Sequence, residues 1–189
     1  MKIYASSDHA GFQLRQVLVD LLRRRGIEVD DLGPRDGTPR DYADEAGKVG
    51  RLVRNTPEAR GLLVCGSGIG MCMAANKMSG IRAVDAWSVE AARLSRAHND
   101  ANVLCLGARL ISQDDARAIL EVWLSTDFDG GRHAARVAGI DRVGGATATD
   151  NPGSAASAPG GLVAVQPAPS PTPVTSPSNV RLTTRSSDL

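Results

Sequence analysis

After the opening residues, the apolar positions Leu14, Val17, Leu18, Leu21 and Leu22 fall at i, i+3, i+4, i+7 and i+8, the stripe of a helix with one buried face. The apolar run KIYAS before it reads as a strand, and Gly26 after it is a glycine of the kind that closes helices. The alternation then repeats. IEVDDLG is a second strand, and residues from about Tyr42 to Asn55 form a second helix. GLLVC is a third strand, leading into a helix through Ala74 and Ala75. IRAVDAW is a fourth, after which Ser88 caps a helix running towards His98. NVLCLG is a fifth, and Ala116, Ile119, Leu120, Trp123 and Leu124 repeat the helical spacing. Strict alternation with short connections predicts an α/β protein: a three-layer α/β/α Rossmann-like fold with a five-stranded parallel sheet.

Such sheets bind ligands beyond the carboxyl ends of their strands. SSDHAG follows the first strand, CGSGIG the third and GARL the fifth, while HND stands just before the fifth. The expectation is that these polar clusters converge on one end of one sheet.

The pattern stops near Gly144. Seven of the ten prolines lie between there and Leu189, with no aromatic residue, so residues 144–189 read as a disordered Pro/Ser/Ala-rich tail and residues 1–143 as the working domain. The net charge of +1 and 3% aromatic content argue against nucleic acid or an anionic membrane as partner. Three cysteines in apolar surroundings give no disulfide framework and favour a reducing cytosol. The N-terminus has no signal-peptide core, and no segment approaches the roughly 20 apolar residues of a membrane span. The expectation is a soluble, cytoplasmic protein.

The loop after the third strand carries the chemistry. Gly66, Gly68 and Gly70 alternate behind Cys65 in CGSGIG. One reading is a dinucleotide fold, with Asp85, 20 residues past Cys65, as the ribose-binding acid. The glycines run G-x-G-x-G instead of G-x-G-x-x-G, however, and do not open the fold. The other reading is a sugar-phosphate enzyme. Gly66, Ser67, Gly68, Ile69 and Gly70 then offer amides to an oxyanion, and Cys65 beside the positive helix end is favoured as thiolate. A strand-end cysteine is also a common packing residue, and Cys72 and Cys105 read as core. Asp8 and His9 could be substrate groups or a helix cap with a neighbour. His98 and Asn99 could act on a ligand or merely end a helix. Arg132 and Arg136 share a helical face and could clamp a phosphate, or form a solvated surface. His133 has no assigned role.

Together, SSDHAGFQLR, RDYAD, VCGSGIGMCMAANK, IRAVDAWSVEAARLSRAHNDANVLCLGARL and WLSTDFDGGRHAARV resemble the type B ribose-5-phosphate isomerases and the related galactose-6-phosphate isomerase subunits. The resemblance spans nearly all of residues 1–143. It implies an aldose–ketose isomerase interconverting ribose 5-phosphate and ribulose 5-phosphate by C2-to-C1 proton transfer through an enediolate. Cys65 would be the base, since the alternative glutamate position of a subgroup is Met71 here. Ser67 and Gly66 to Gly70 would serve the reacting oxygens, His98 would open the furanose ring with Asn99 beside it, and Asp8, His9 and Tyr42 would contact substrate. Arg109, Arg132 and Arg136 would bind sugar and phosphate. The resemblance also implies a homodimer, or a tetramer, with sites shared between subunits. A thiolate is a modest base for a carbon acid, so the enediolate needs strong stabilisation; one such donor is worth about 3–4 kcal/mol. No metal-ligand spacing is visible, so a mechanism without metal or cofactor is expected. The alternatives are a 6-phosphohexose isomerase and a non-catalytic sugar-phosphate-binding subunit.

Overall fold

The computed structural model describes residues 1–145; the segment read from sequence as a disordered tail lies outside them, apart from its first two residues. The elements are β1 Lys2–Ser7, α1 Phe12–Arg24, β2 Glu28–Asp31, α2 Tyr42–Asn55, β3 Arg60–Cys65 and α3 Ile69–Ala75, followed by β4 Ala83–Asp85, α4 Val89–Asn99, β5 Val103–Gly107, α5 Gln113–Ser125 and α6 Arg132–Gly145. The five strands are all parallel, in the order β2-β1-β3-β5-β4. The predicted α/β/α sandwich is the observed one.

Side chains on β1, β3 and β5 alternate between two buried faces, because successive Cβ atoms point to opposite sides of a sheet. Leu62 and Val64 of β3 join Ile3, Leu104 and Leu106 in a core closed by α1 and α5, around Leu18, Ile119, Leu120 and Trp123. Leu63 and Cys65 face the other way, into a core with Met71 and Ala75 of α3 and Ala46, Val49 and Val53 of α2. Cys65 is therefore the last inward-facing residue of a strand whose earlier residues are locked in packing. Its backbone is fixed by the register Cys65↔Gly107 with β5.

Helix starts follow the sequence signals. Asp41 Oδ1 accepts the Ala43 N–H at 2.7 Å, and Ser88 Oγ accepts the Ala91 N–H at 3.1 Å. The fourth strand is shorter than IRAVDAW predicts, pairing with β5 only over Ala83–Asp85. It lies at the sheet edge, and the chain turns into the Ser88 cap directly afterwards.

Candidate active site

From β1 the chain passes to β2 on one side, then returns to β3 on the other. The loops leaving β1 and β3 consequently diverge, and a crevice opens between them. It has a volume of about 500 Å³ and is lined by Asp8, His9, Tyr42, Cys65, Gly66, Ser67, Ile69, Gly70 and Arg109, with Ala10 and Leu110. Nine residues singled out from the sequence thus share one cleft.

Cys65 is only 5% exposed, and its Sγ accepts the Gly68 N–H at 3.1 Å. That contact needs the turn that Gly68 makes with φ +80, a conformation glycine adopts without strain. A Cβ at Gly68 would also meet Asp85 Oδ1 at 2.1 Å, and one at Gly70 would meet the Tyr42 ring at 2.8 Å. The Cys65 and Gly66 carbonyls accept from the Ala108 and Arg109 amides at 2.8 and 3.0 Å, which pins the loop to the end of β5. The first-turn amides of α3, beside the cleft residues Ile69 and Gly70, are helix-start donors without an intrahelical partner, and no side chain caps them. Asp8 is buried and its Oδ1 accepts the Gly11 N–H at 2.9 Å, so one of its oxygens fastens the turn that leads into α1.

Asp85, considered from sequence only as a ribose-binding acid, instead backs the loop at Gly68; burial raises its carboxyl pKa above the usual range. Cys105 is fully buried, which pushes its thiol well up. Cys72 is half-buried and not fully core as expected; its Sγ donates to the Ala83 carbonyl at 3.5 Å, and the Cys105 thiol lowers its pKa.

The remaining predicted residues are elsewhere. α4 runs antiparallel to the strands, so His98 and Asn99 in its last turn lie at the amino end of the sheet, opposite Cys65. The expectation that HND joins the other clusters is corrected: a segment just before a parallel strand sits at that strand's beginning. There, the His98 ring stacks on His133 with centroids 4.2 Å apart and planes 6° apart. Asp129 Oδ2 is 3.9 Å from His98 Nε2, and Arg132 Nε donates to His133 Nε2 at 3.4 Å. Arg136 is exposed one turn further along α6, and the Asn99 carbonyl accepts from Arg82 Nε at 3.2 Å. His133 was missed. Its spacing to Val137, which is also buried, is the i, i+4 signal that could have marked it as inward-facing.

The ligand atoms of His98, Asp129 and His133 lie within 4.8 Å of one another. Tetrahedral zinc ligands sit roughly 3.3 Å apart and converge on one point; two rings lying flat on each other aim their lone pairs side by side. The arrangement is a packed pair. A further hollow of about 560 Å³ opens at the amino end among Arg54, Arg60, Arg82 and Arg96. Three of these arginines are employed structurally: Arg82 and Arg96 hold Asp100 at 2.8 and 2.7 Å, and Arg60 donates to the Trp123 and Leu124 carbonyls at the end of α5. Of the polar clusters singled out from sequence it holds only Asp100, the last residue of HND.

A thiol and a turn of free amides at the switch point of a parallel sheet are the setting for acid–base chemistry on a small anionic substrate. The model of the Ribose/Galactose Isomerase family matches residues 3–140, and the chain belongs to that family. Ribose-5-phosphate isomerase B of Escherichia coli (strain K12) is 41% identical over 142 residues, covering 75% of this chain and 95% of its own. The ribose-5-phosphate isomerase B structure from Clostridium thermocellum superposes with a TM-score of 0.74 at 44% identity, over 76% of this chain and 97% of that one. The enzyme from Mycoplasma genitalium with bound ribulose-5-phosphate gives 0.74 at 37% identity, over 77% and 97%. Among the described residues no helix is long and apolar enough to cross a membrane.

Proposed function

We propose that this isomerase interconverts ribose 5-phosphate and ribulose 5-phosphate, a step of the non-oxidative pentose phosphate pathway. The observation that carries the reading is the Cys65 thiol, seated at the switch-point crevice and held 3.1 Å from the Gly68 amide. Cys65 removes the C2 proton and returns it to C1. The amides of Gly66 to Gly70, with the Ser67 hydroxyl, hold the enediolate oxygens, and preorganised donors are strongest where charge develops. Asp8, His9, Tyr42 and Arg109 hold the sugar at the walls of the cleft. The reaction is proton transfer alone, so this reading invokes no metal and no cofactor. A relative with bound ribulose-5-phosphate supports the choice of pentose over a 6-phosphohexose. Rates on ribose 5-phosphate, allose 6-phosphate and galactose 6-phosphate test it; a faster hexose reverses the choice.

The working unit of this reading is residues 1–143 as a cytoplasmic homodimer. His98, Asn99, Arg132 and Arg136 stand at the wrong end of their own sheet to serve their own Cys65. A second copy, turned about a two-fold axis, brings its amino end to the cleft. His98 then opens the furanose ring, Asn99 contacts the sugar, and Arg132 and Arg136 clamp the phosphate. Tyr42, Ile69, Met73, Trp87 and Leu110 are large apolar side chains left 47–73% exposed, and such surfaces support a protein partner. Mixing is the test. Chains carrying Cys65→Ala and His98→Asn are inactive and strongly slowed on cyclic ribose 5-phosphate, respectively, and after reassortment the mixture reaches roughly a quarter of wild-type activity, because half the dimers hold one intact site. No recovery would mean that each chain acts alone.

A further inference from the structure

We propose that His133 is a positioning residue that joins the two tasks of the amino-end cluster: its ring fixes the plane of His98 by stacking, and its Nε2 aims Arg132. The proposal deepens the isomerase reading and rests on it for the roles of His98 and Arg132, while the contacts themselves stand apart from that reading.

His98 sits on the last turn of α4 with 37% of its side chain exposed, and the terminal torsion of a histidine is broad and soft. What holds its ring is the parallel face of His133, 4.2 Å away. His133 is anchored: it is 7% exposed and sits one turn before Val137, which is also buried. On its edge, Arg132 Nε meets His133 Nε2 at 3.4 Å. A guanidinium N–H can only donate, so that nitrogen carries a lone pair and the ring proton is on Nδ1. One neutral imidazole therefore holds the ring-opening group on its face and a phosphate-binding group on its edge.

Protonation would break the second contact by setting donor against donor. The surroundings oppose it. Burial, then the neighbouring His98, Arg132 and Arg136, hold His133 below the usual histidine range, with Asp129 pulling the other way. Glu90 and Arg93 of α4 complete the charged groups around the pair. A histidine depressed in the folded chain keeps its contribution at neutral pH and loses it as pH falls below the ordinary histidine range. Phosphate affinity should therefore weaken on acidification.

Two substitutions separate the contacts. His133→Phe keeps a flat ring and removes the acceptor; His133→Gln keeps an acceptor and removes the ring. The comparison substrate is a tetrose 4-phosphate, whose C4 oxygen is esterified and which cannot close a furanose ring. His133→Phe should raise KM for ribose 5-phosphate about tenfold, the scale of one hydrogen bond to a charged group. Its ratio of kcat on the pentose to kcat on the tetrose should stay at the wild-type value. His133→Gln should keep KM and lower that ratio about tenfold, and acid should still weaken wild-type binding while leaving the Gln variant's KM flat. Equal losses in both variants on both substrates, or no losses, overturn the proposal. NMR of the substrate-free wild-type chain checks the contact without any variant: a nuclear Overhauser effect should join the two rings, and its absence overturns the stack. If the rings do touch but His98→Asn slows pentose and tetrose equally, the failure lies in the ring-opening role of His98 and the proposal falls with it.

Discussion

At the carboxyl end of the sheet the groups proposed to react sit at the turn after β3, where Cys65 Sγ meets the Gly68 amide; at the amino end the proposed groups sit on helices, where His98 lies flat on His133. The first site is made largely of backbone. Its amides are aimed by glycine geometry and by the pins to Ala108 and Arg109, so it is as rigid as the sheet beneath it. The second is made of side chains on α4, α6 and the loop between α5 and α6, each held by one or two neighbours. The difference suits the division of labour proposed above. An enediolate needs donors that are in place before the charge appears, whereas ring opening and phosphate capture need groups that gain or lose protons and ion pairs.

The comparison is sharpest where the backbone site loses its one reactive side chain. Cys65→Ala should lower turnover by about 10³-fold or more, at the upper range for removal of a general base, with an unchanged melting curve. Proton exchange at substrate C2 in deuterated water reads this directly. Exchange close to wild type would move the base elsewhere, with Asp8 the first suspect.

Next comes the backbone itself. Gly68→Ala combines a left-handed φ with a Cβ 2.1 Å from Asp85 Oδ1. Activity should fall by about 10²-fold, the range for disturbing one oxyanion donor. Adding Asp85→Ala should restore part of it by clearing the clash. A single variant with normal kcat would show that the loop tolerates movement.

At the amino end the effects should be smaller and differently distributed. Arg132→Ala and Arg136→Ala should each raise KM about tenfold with little change in kcat, since a phosphate remote from the reacting carbons contributes uniform binding. Unphosphorylated ribose should not notice either change; equal losses on ribose would remove both arginines from phosphate binding. Smallest of all, deleting residues 146–189 should leave rates within about twofold. The family model ends at residue 140, and relatives are matched over 91–96% of their own length by 138–142 residues of this chain.

Why one end was legible in the sequence and the other was misplaced follows from topology. Asp8, His9, Cys65 to Gly70 and Arg109 each follow a strand directly, and in a parallel sheet that alone assigns them to one end. His98 and Asn99 precede a strand, so proximity in sequence to NVLCLG was misleading about the end they occupy. His133 escaped because one buried polar residue between two arginines carries almost no signal until its partner on α4 is known. Asp85 was visible only as part of a nucleotide motif, since its contact with Gly68 joins two loops distant in sequence. The central strands and the helices against them were legible because both sheet faces are covered there, which imposes the apolar pattern on β1, β3 and β5 and their covering helices.

Among its described residues α6 buries only His133 and Val137, and its ion pair from Asp141 to Arg82 is 3.2 Å long with the carboxylate 44% exposed. So lightly fastened an element opens locally at far lower cost than β1, β3 or β5, whose inner residues are fully covered. Amide hydrogens of α6 should therefore exchange well before those of the central strands. On warming or added salt, the chain should lose the ability to hold phosphate while its sheet still gives a native spectrum. Heat inactivation of this protein would then report the undocking of one helix and not the melting of a fold.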